Sequence, residues 1–285
     1  MKISVVIPVY NEEKRIDETL KALYNSSEQA YEIIVADGRS TDNTLSLIKN
    51  KYPKVICLDN AFRKASAGRN LGIKAATGDI IAFTDGDCLV DENWIKNIRK
   101  AFENEDIDGI GGKVLNAKAG NKYEEYWGNL AWNLIMSFPD QPYYVSEKKL
   151  NDAFVTANCA YKKSLLQEMG GFDDFFGNNA EDIDLCWRAL DKNAKLKYVP
   201  DVVIYAHNVT DLKGIIKKSY RNGISSSKLQ KVYGSKFNFD GNIYKMLFKN
   251  LFNLYKKDAG LNFIELFFHL LGKYSGSFQF GVINI

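Results

Sequence analysis

Acidic side chains recur in this sequence at the points where apolar runs give way to turns. Asp85-Gly86-Asp87 follows Ile80-Ile81-Ala82-Phe83, four residues whose length and composition suit a buried strand. Two carboxylates around a glycine offer oxygen ligands for magnesium or manganese, or acceptors for a sugar hydroxyl, and the glycine permits close backbone approach. The same residue types also make an ordinary solvated turn. Asp37-Gly38-Arg39-Ser40-Thr41-Asp42 and Pro8-Val9-Tyr10-Asn11-Glu12 end two earlier apolar runs, and Arg63-Lys64 through Arg69-Asn70 adds basic and small residues, as a phosphate-bearing ligand requires. Glu181-Asp182 precedes Ile183, Leu185, Trp187 and Leu190. That pattern sets a carboxylate at a helix start, where it can take the proton of an attacking hydroxyl or simply complement the helix dipole.

The elements that must position these groups alternate. Strands are expected at residues 3–7, 31–36, 54–58 and 79–83, with helices at 12–24, from Ser40-Thr41-Asp42 through Ile48, and at 65–76. This order implies parallel βαβ units with helices on both faces of a twisted sheet. In such sheets ligands bind beyond the carboxyl ends of the strands, so the three acidic turns open onto one edge. Further strands are expected at 110–115, 154–161 and 202–206, a helix at 123–136 carrying Trp127 and Trp132, and a polar loop at 139–149.

Composition narrows the class. The chain has 285 residues, 46% hydrophobic and 26% charged, with a net charge of +3, which is ordinary for a globular protein and excludes a disordered one. No G-x-G-x-x-G follows the first strand, and Gly111-Gly112-Lys113 lacks the rest of a P-loop, which disfavours an NAD enzyme or an ATPase. Cys57, Cys88, Cys159 and Cys186 have no C-x-x-C spacing and read as free thiols. The opening residues read as a strand rather than a signal peptide, so a cytoplasmic location is expected, and no nucleic-acid partner.

The ordered set Pro8-Val9-Tyr10-Asn11-Glu12, Asp37 to Asp42, Ala67-Gly68-Arg69-Asn70-Leu71-Gly72, Asp85-Gly86-Asp87, Gly170-Gly171-Phe172-Asp173 and Glu181-Asp182-Ile183-Asp184-Leu185 with Arg188 resembles family 2 glycosyltransferases of the GT-A fold. The resemblance runs over roughly residues 3–207. It implies an α/β fold with a mixed, mainly parallel twisted sheet flanked by helices. It also implies a metal-dependent inverting transfer, with Mn2+ or Mg2+, from a UDP- or GDP-sugar to a hydroxyl or phosphate of a glycan or lipid-linked acceptor. Carried over by residue, Tyr10 resembles the aromatic against the base, Pro8 its neighbour, and Asp37 the acid on the base edge. Arg69 resembles a basic nucleotide contact, Asp85 the ribose-side acid, Asp87 the metal ligand, and Asn158 a position near the donor sugar. Asp182 resembles the general base, with Glu181 and Asp184 supporting it. His207 resembles a residue that completes the metal shell in some relatives, or is a hydrogen-bonded structural histidine; Glu12 is either a ligand contact or a helix-dipole partner. Gly38-Arg39 departs from the Asp-Gly of many relatives, which puts one nucleotide contact in doubt.

After residue 210 the character changes. Lys217, Lys218, Arg221, Lys228, Lys231, Lys236, Lys245, Lys249 and Lys256 interleave with Leu247, Phe248, Leu251, Phe252, Leu254 and Tyr255. This reads as a basic amphipathic helical extension over 211–285, behind a catalytic domain over 1–210. It suits peripheral contact with an anionic membrane, at the inner face of the plasma membrane, or a solvated basic cap. Two rival functions keep the same fold: a non-catalytic nucleotide- or sugar-binding module, and a nucleotidyltransferase.

Overall fold

The computed structural model describes residues 1–131, 138–234 and 258–282. The chain forms two compact units, Met1–Lys118 with Ala131–His207, and Ala119–Leu130 with Asn208–Ile285. In the first unit β1 (Ile3–Val9), α1 (Ile16–Tyr24), β2 (Glu32–Asp37), α2 (Thr44–Lys51), β3 (Ile56–Asp59), α3 (Ala65–Ala75) and β4 (Ile80–Phe83) alternate as the sequence predicts. Then come β5 (Cys88–Val90), α4 (Trp94–Asn104) and β6 (Gly109–Asn116); α5 (Lys122–Gly128) belongs to the second unit. β7 (Tyr143–Val145), β8 (Cys159–Lys162), α6 (Lys163–Glu168), α7 (Glu181–Asp191) and β9 (Leu196–Ala206) complete the first.

The sheet order is β3-β2-β1-β4-β8-β6-β9-β5, with β7 also on β9. Pairing is parallel along β3-β2-β1-β4 and between β6 and β9, and antiparallel where β8, β5 and β7 join. The central strands β1 and β4 are almost wholly buried because both faces of the sheet are covered there. Ile3, Val5, Ile7 and Val9 pack with Ile16, Leu20, Trp94 and Ile98 on one face, while Val6, Ile81 and Phe83 pack with Ile73, Leu185 and Cys186 on the other. The two-residue period of a strand sorts neighbouring side chains onto opposite cores.

Two sequence expectations change. The strand expected over 154–161 is only Cys159–Lys162, preceded by a 3-10 turn at Thr156–Asn158. The register of β6 against β9 jumps after Gly112↔Val199 to Lys113↔Val203, across Pro200, which has no N–H to donate. Asn158 fills the gap: its Nδ2 donates to Lys113 O at 2.8 Å and Val202 O at 2.9 Å, and its Oδ1 accepts from Trp94 Nε1 at 2.8 Å. The loop expected over 139–149 contains the short strand β7, which pairs Tyr143 with Tyr198.

In the second unit α5, α8 (Leu212–Tyr233) and α9 (Ala259–Phe280) are described. The sequence division at 210 compares with one between His207 and Asn208, and residues 119–130 join the later segment. α5 runs on past Gly128 as a π-helical turn over residues 129–131, with Trp127 buried; Trp132 lies outside the described residues, as do Lys236, Lys245, Lys249, Lys256, Leu247, Phe248, Leu251, Phe252, Leu254 and Tyr255. Among the described residues no helix is long and apolar enough to cross a membrane.

α3 presses onto β1: a Cβ at Gly72 would overlap the Val6 side chain and one at Gly68 would sit 3.3 Å from Pro8 Cβ. Gly72→Ala is expected to destabilise the fold by about 1–3 kcal/mol through overpacking, read as a lower urea midpoint.

Candidate functional site

Register brings the acidic turns together. Val9 pairs with Asp37 and Val6 with Phe83, so Tyr10, Asp37 and the Asp85-Gly86-Asp87 turn leave the sheet on the same edge. The first two loops interlock. Asn11, in the left-handed region at φ 57, accepts from Thr41 N at 2.8 Å, and Ser40 Oγ accepts from Asn11 N at 2.9 Å. Asp37 is buried, held by Ser40 N and Ser40 Oγ. Tyr10 is exposed, and the Arg63 guanidinium sits 5.7 Å from its ring centre. Pro8 lies against α3, within 3.3 Å of where a Gly68 Cβ would stand. Arg39 also adopts a left-handed backbone at φ 58 and spends its guanidinium on Asp59.

Arg69 joins the two halves of the site. Only 3% exposed, it donates from Nη2 to Asp85 Oδ1 at 2.8 Å and from Nη1 to Glu181 Oε1 at 2.7 Å. Burial opposes its charge, but Asp85 and Glu181 hold it protonated. The next residue, Asp182, is half-buried in the first turn of α7, its Oδ1 accepting from Ile183 N at 2.9 Å. Burial lifts the Asp182 carboxyl above its usual range; burial and the Asp182 charge lift Glu181, against the pull of Arg69. Two buried atoms here, Arg69 Nε and Glu181 Oε2, have no hydrogen-bond partner among the described residues.

On the other side of Asp85 lies an acidic group. Glu12 packs against Gly86, and burial, then the charges of Asp87, Asp85 and Asp42, push its carboxyl up to about 8. β5 pairs with the end of β9, so His207 N donates to Asp87 O at 3.2 Å, and His207 Nε2 lies 3.4 Å from both Arg15 Nη1 and Glu18 Oε2. Among the described residues no three His, Cys, Asp or Glu side chains converge as a complete metal shell. The donor set nevertheless fits a magnesium-type ion, which proteins hold by one or two carboxylates and substrate phosphates, and the mutual repulsion that raises Glu12 is what a cation would relieve.

Several residues matter more as scaffold than their sequence pattern signalled. Asn70 clamps Phe172, accepting from its N at 2.7 Å and donating to its O at 2.8 Å. Arg188 donates to Asp184, Met169 O and Gly171 O, tying α7 to the glycine turn, where Gly170 and Gly171 take φ of 74 and 76. Asn178 caps α3 at Ala65 N. Asn158, expected near the donor sugar, is wholly buried and commits its amide to Trp94, Lys113 and Val202, so its side chain belongs to the sheet repair.

The profile of Glycosyl transferase family 2 matches residues 4–170. The chain belongs to that family. AglE, a glycosyltransferase of Haloferax volcanii, is 28% identical over 227 residues, 78% of this chain and 71% of its own. A Methanococcus voltae enzyme, named as a glucuronosyltransferase acting on a dolichyl N-acetyl-α-D-glucosaminyl phosphate, is 25% identical over 233 residues, with the same 78% and 71% coverage. The mannosyltransferase PcManGT of Pyrobaculum calidifontis, solved with GDP-Man and Mn2+, superimposes with a TM-score of 0.64 at 17% identity, over 98% of this chain and 87% of that one. TarS of S. aureus, residues 1–349 with UDP-GlcNAc, gives 0.58 at 17%, over 100% and 93%. These two structures share the fold of this glycosyltransferase.

Replacing the Asn158 amide tests its placement. Asn158→Ala is expected to cost roughly 3 kcal/mol, because buried carbonyls and an indole N–H lose their partner, while nucleotide affinity measured by calorimetry stays within twofold.

Proposed function

We propose that this glycosyltransferase moves a sugar from a UDP- or GDP-sugar to a hydroxyl or phosphate of a glycan or lipid-linked acceptor, with inversion at the anomeric carbon and dependence on Mn2+ or Mg2+. The observation that carries the reading is the buried Arg69, which holds a donor-side acid, Asp85, and the helix start bearing Asp182 in one network. Tyr10 lies against the base. Asp37 accepts the base N–H with lone pairs its bonds to Ser40 leave over, an edge that uracil and guanine both offer. Arg69 takes one oxygen of Asp85, whose remaining acceptor capacity serves a ribose hydroxyl, and Glu181 Oε2 suits a hydroxyl of the transferred sugar.

Asp182, its carboxylate made more basic by burial, takes the acceptor proton as the acceptor oxygen bonds to the anomeric carbon and the bond to the diphosphate breaks. Asp87, with the ring nitrogen of His207 not turned to Arg15 and Glu18, would hold a divalent ion, which when bound would supply positive charge for the departing nucleoside diphosphate. Glu12 stands beside that position as a further acid. No second carboxylate is assigned as a nucleophile, so retention is not favoured. The acceptor named for the Methanococcus relative and the basic later unit support an acceptor at a membrane surface.

Asp87→Ala is expected to abolish manganese-dependent UDP or GDP binding, and Asp85→Ala to weaken it less; unchanged calorimetric binding by the Asp87 variant would sink the metal assignment. Asp182→Asn keeps the shape but not the basicity, so turnover should fall by about two to four orders of magnitude with donor affinity within a few fold. Near-normal turnover at saturation would move the base to Glu181 or Asp184.

A further inference from the structure

Helix α9 has its polarity reversed. Glu265, His269 and Lys273 are its only acidic or basic residues; they recur every fourth position, and all three are buried. Phe267, Leu271, Tyr274 and Phe278 lie at i, i+4, i+7 and i+11, one helical stripe, and are exposed by 42%, 41%, 47% and 94%. Phe263 stacks on Phe267 at 6.1 Å and Phe268 meets it edge-on at 5.4 Å. The helix cannot roll to hide this stripe. A Cβ at Gly223 would overlap His269 O and one at Gly272 would overlap Tyr220 O, so α8 and α9 touch backbone to backbone, and Ser227 Oγ donates to Lys273 O at 2.9 Å.

We propose that this face of α9 rests on an anionic phospholipid bilayer; the inference deepens the membrane-surface acceptor reading and rests on it. Area and charge select that occupant. At about 200 Å² for each fully exposed side chain of this size, the stripe leaves roughly 450 Å² open, well under the ~800 Å² per partner of a standard protein–protein interface. A bilayer sets no such threshold. The unit that carries α9 has 13 Lys and Arg against 6 Asp and Glu in sequence, whereas the rest of the chain has 25 against 29. Lys213, Lys217 and Lys231 are exposed on α8. Phe267 to Phe278 extends about 16 Å along the axis, about half the hydrocarbon thickness, so the helix lies in the interface plane with aromatic side chains at headgroup depth.

The test uses the full chain with vesicles of phosphatidylcholine alone or mixed with phosphatidylglycerol. The chain is expected to sediment with the mixed vesicles, and the double variant Phe267→Ser, Phe278→Ser to bind them at least tenfold more weakly while retaining calorimetric nucleotide binding and elution volume. Phe278→Trp, at a site open enough to tolerate it, should shift its emission to the blue on vesicle addition and be quenched by brominated lipid. Vesicle binding unchanged by the double variant, or an unquenched Trp, overturns the proposal. So does a wild-type dimer that the double variant dissolves, which would assign the face to a second copy of the chain. Vesicle binding through α9 without transfer to any lipid-linked acceptor would instead refute the acceptor reading and leave the surface standing.

Discussion

The buried guanidinium of Arg69 is the contact on which the site depends. A charge removed from water is tolerable only when paired and hydrogen-bonded, and stripping one partner from such a pair costs about 3–5 kcal/mol. Arg69 meets that demand by drawing Asp85 from the end of β4 and Glu181 from the start of α7 to one point. Asp85 and Glu181, the latter 112 positions beyond Arg69 in sequence, are thereby fixed to a single helix, α3. That helix can carry the group so deep only because Gly68 and Gly72 let its backbone press onto β1.

The clamps around Arg69 act in the same direction. Asn70 grips Phe172, Ser66 donates to Asp174, and Asn178 caps the start of α3, so the loop entering α7 is held along its length. Arg188 closes the other side through Asp184 and the glycine turn. Asp182 is thus presented from a rigid helix start, which suits a proton acceptor whose reach must be set to within a fraction of an ångström.

Charge is not balanced within this network. One guanidinium serves Asp85 and Glu181 with Asp182 adjacent, while Glu12 and Asp87 crowd Asp85 from the other side; burial first, and like charge after it, lift Glu12, Glu181 and Asp182. A like-charged cluster of this kind is costly to fold and ready to receive a cation and its phosphate ligands. Burial and repulsion together also keep a carboxylate basic enough to take a proton.

The sequence by itself determined the alternation of β1 to β4 with their helices, the family resemblance and the acidic turns. Each is written locally, as an apolar run, a period of 3.6 or a strand-ending Asp and Gly. It left the direction of β8, the short strands β5 and β7, and the bulge in β9 to the tertiary structure. Those depend on which strands meet: the β6–β9 ladder breaks at Pro200 only because β6 lies beside it, and Asn158 reads as a ligand contact until Trp94, Lys113 and Val202 surround it. Arg69 is legible as a basic residue near the site, but not as the tie between Asp85 and Glu181, since no local pattern records a contact between segments so far apart. Nor does the alternation of polar and aromatic residues along α9 say which side faces inward. The glycines that let α8 approach decided that, by burying Glu265, His269 and Lys273 and turning Phe267, Leu271 and Phe278 out.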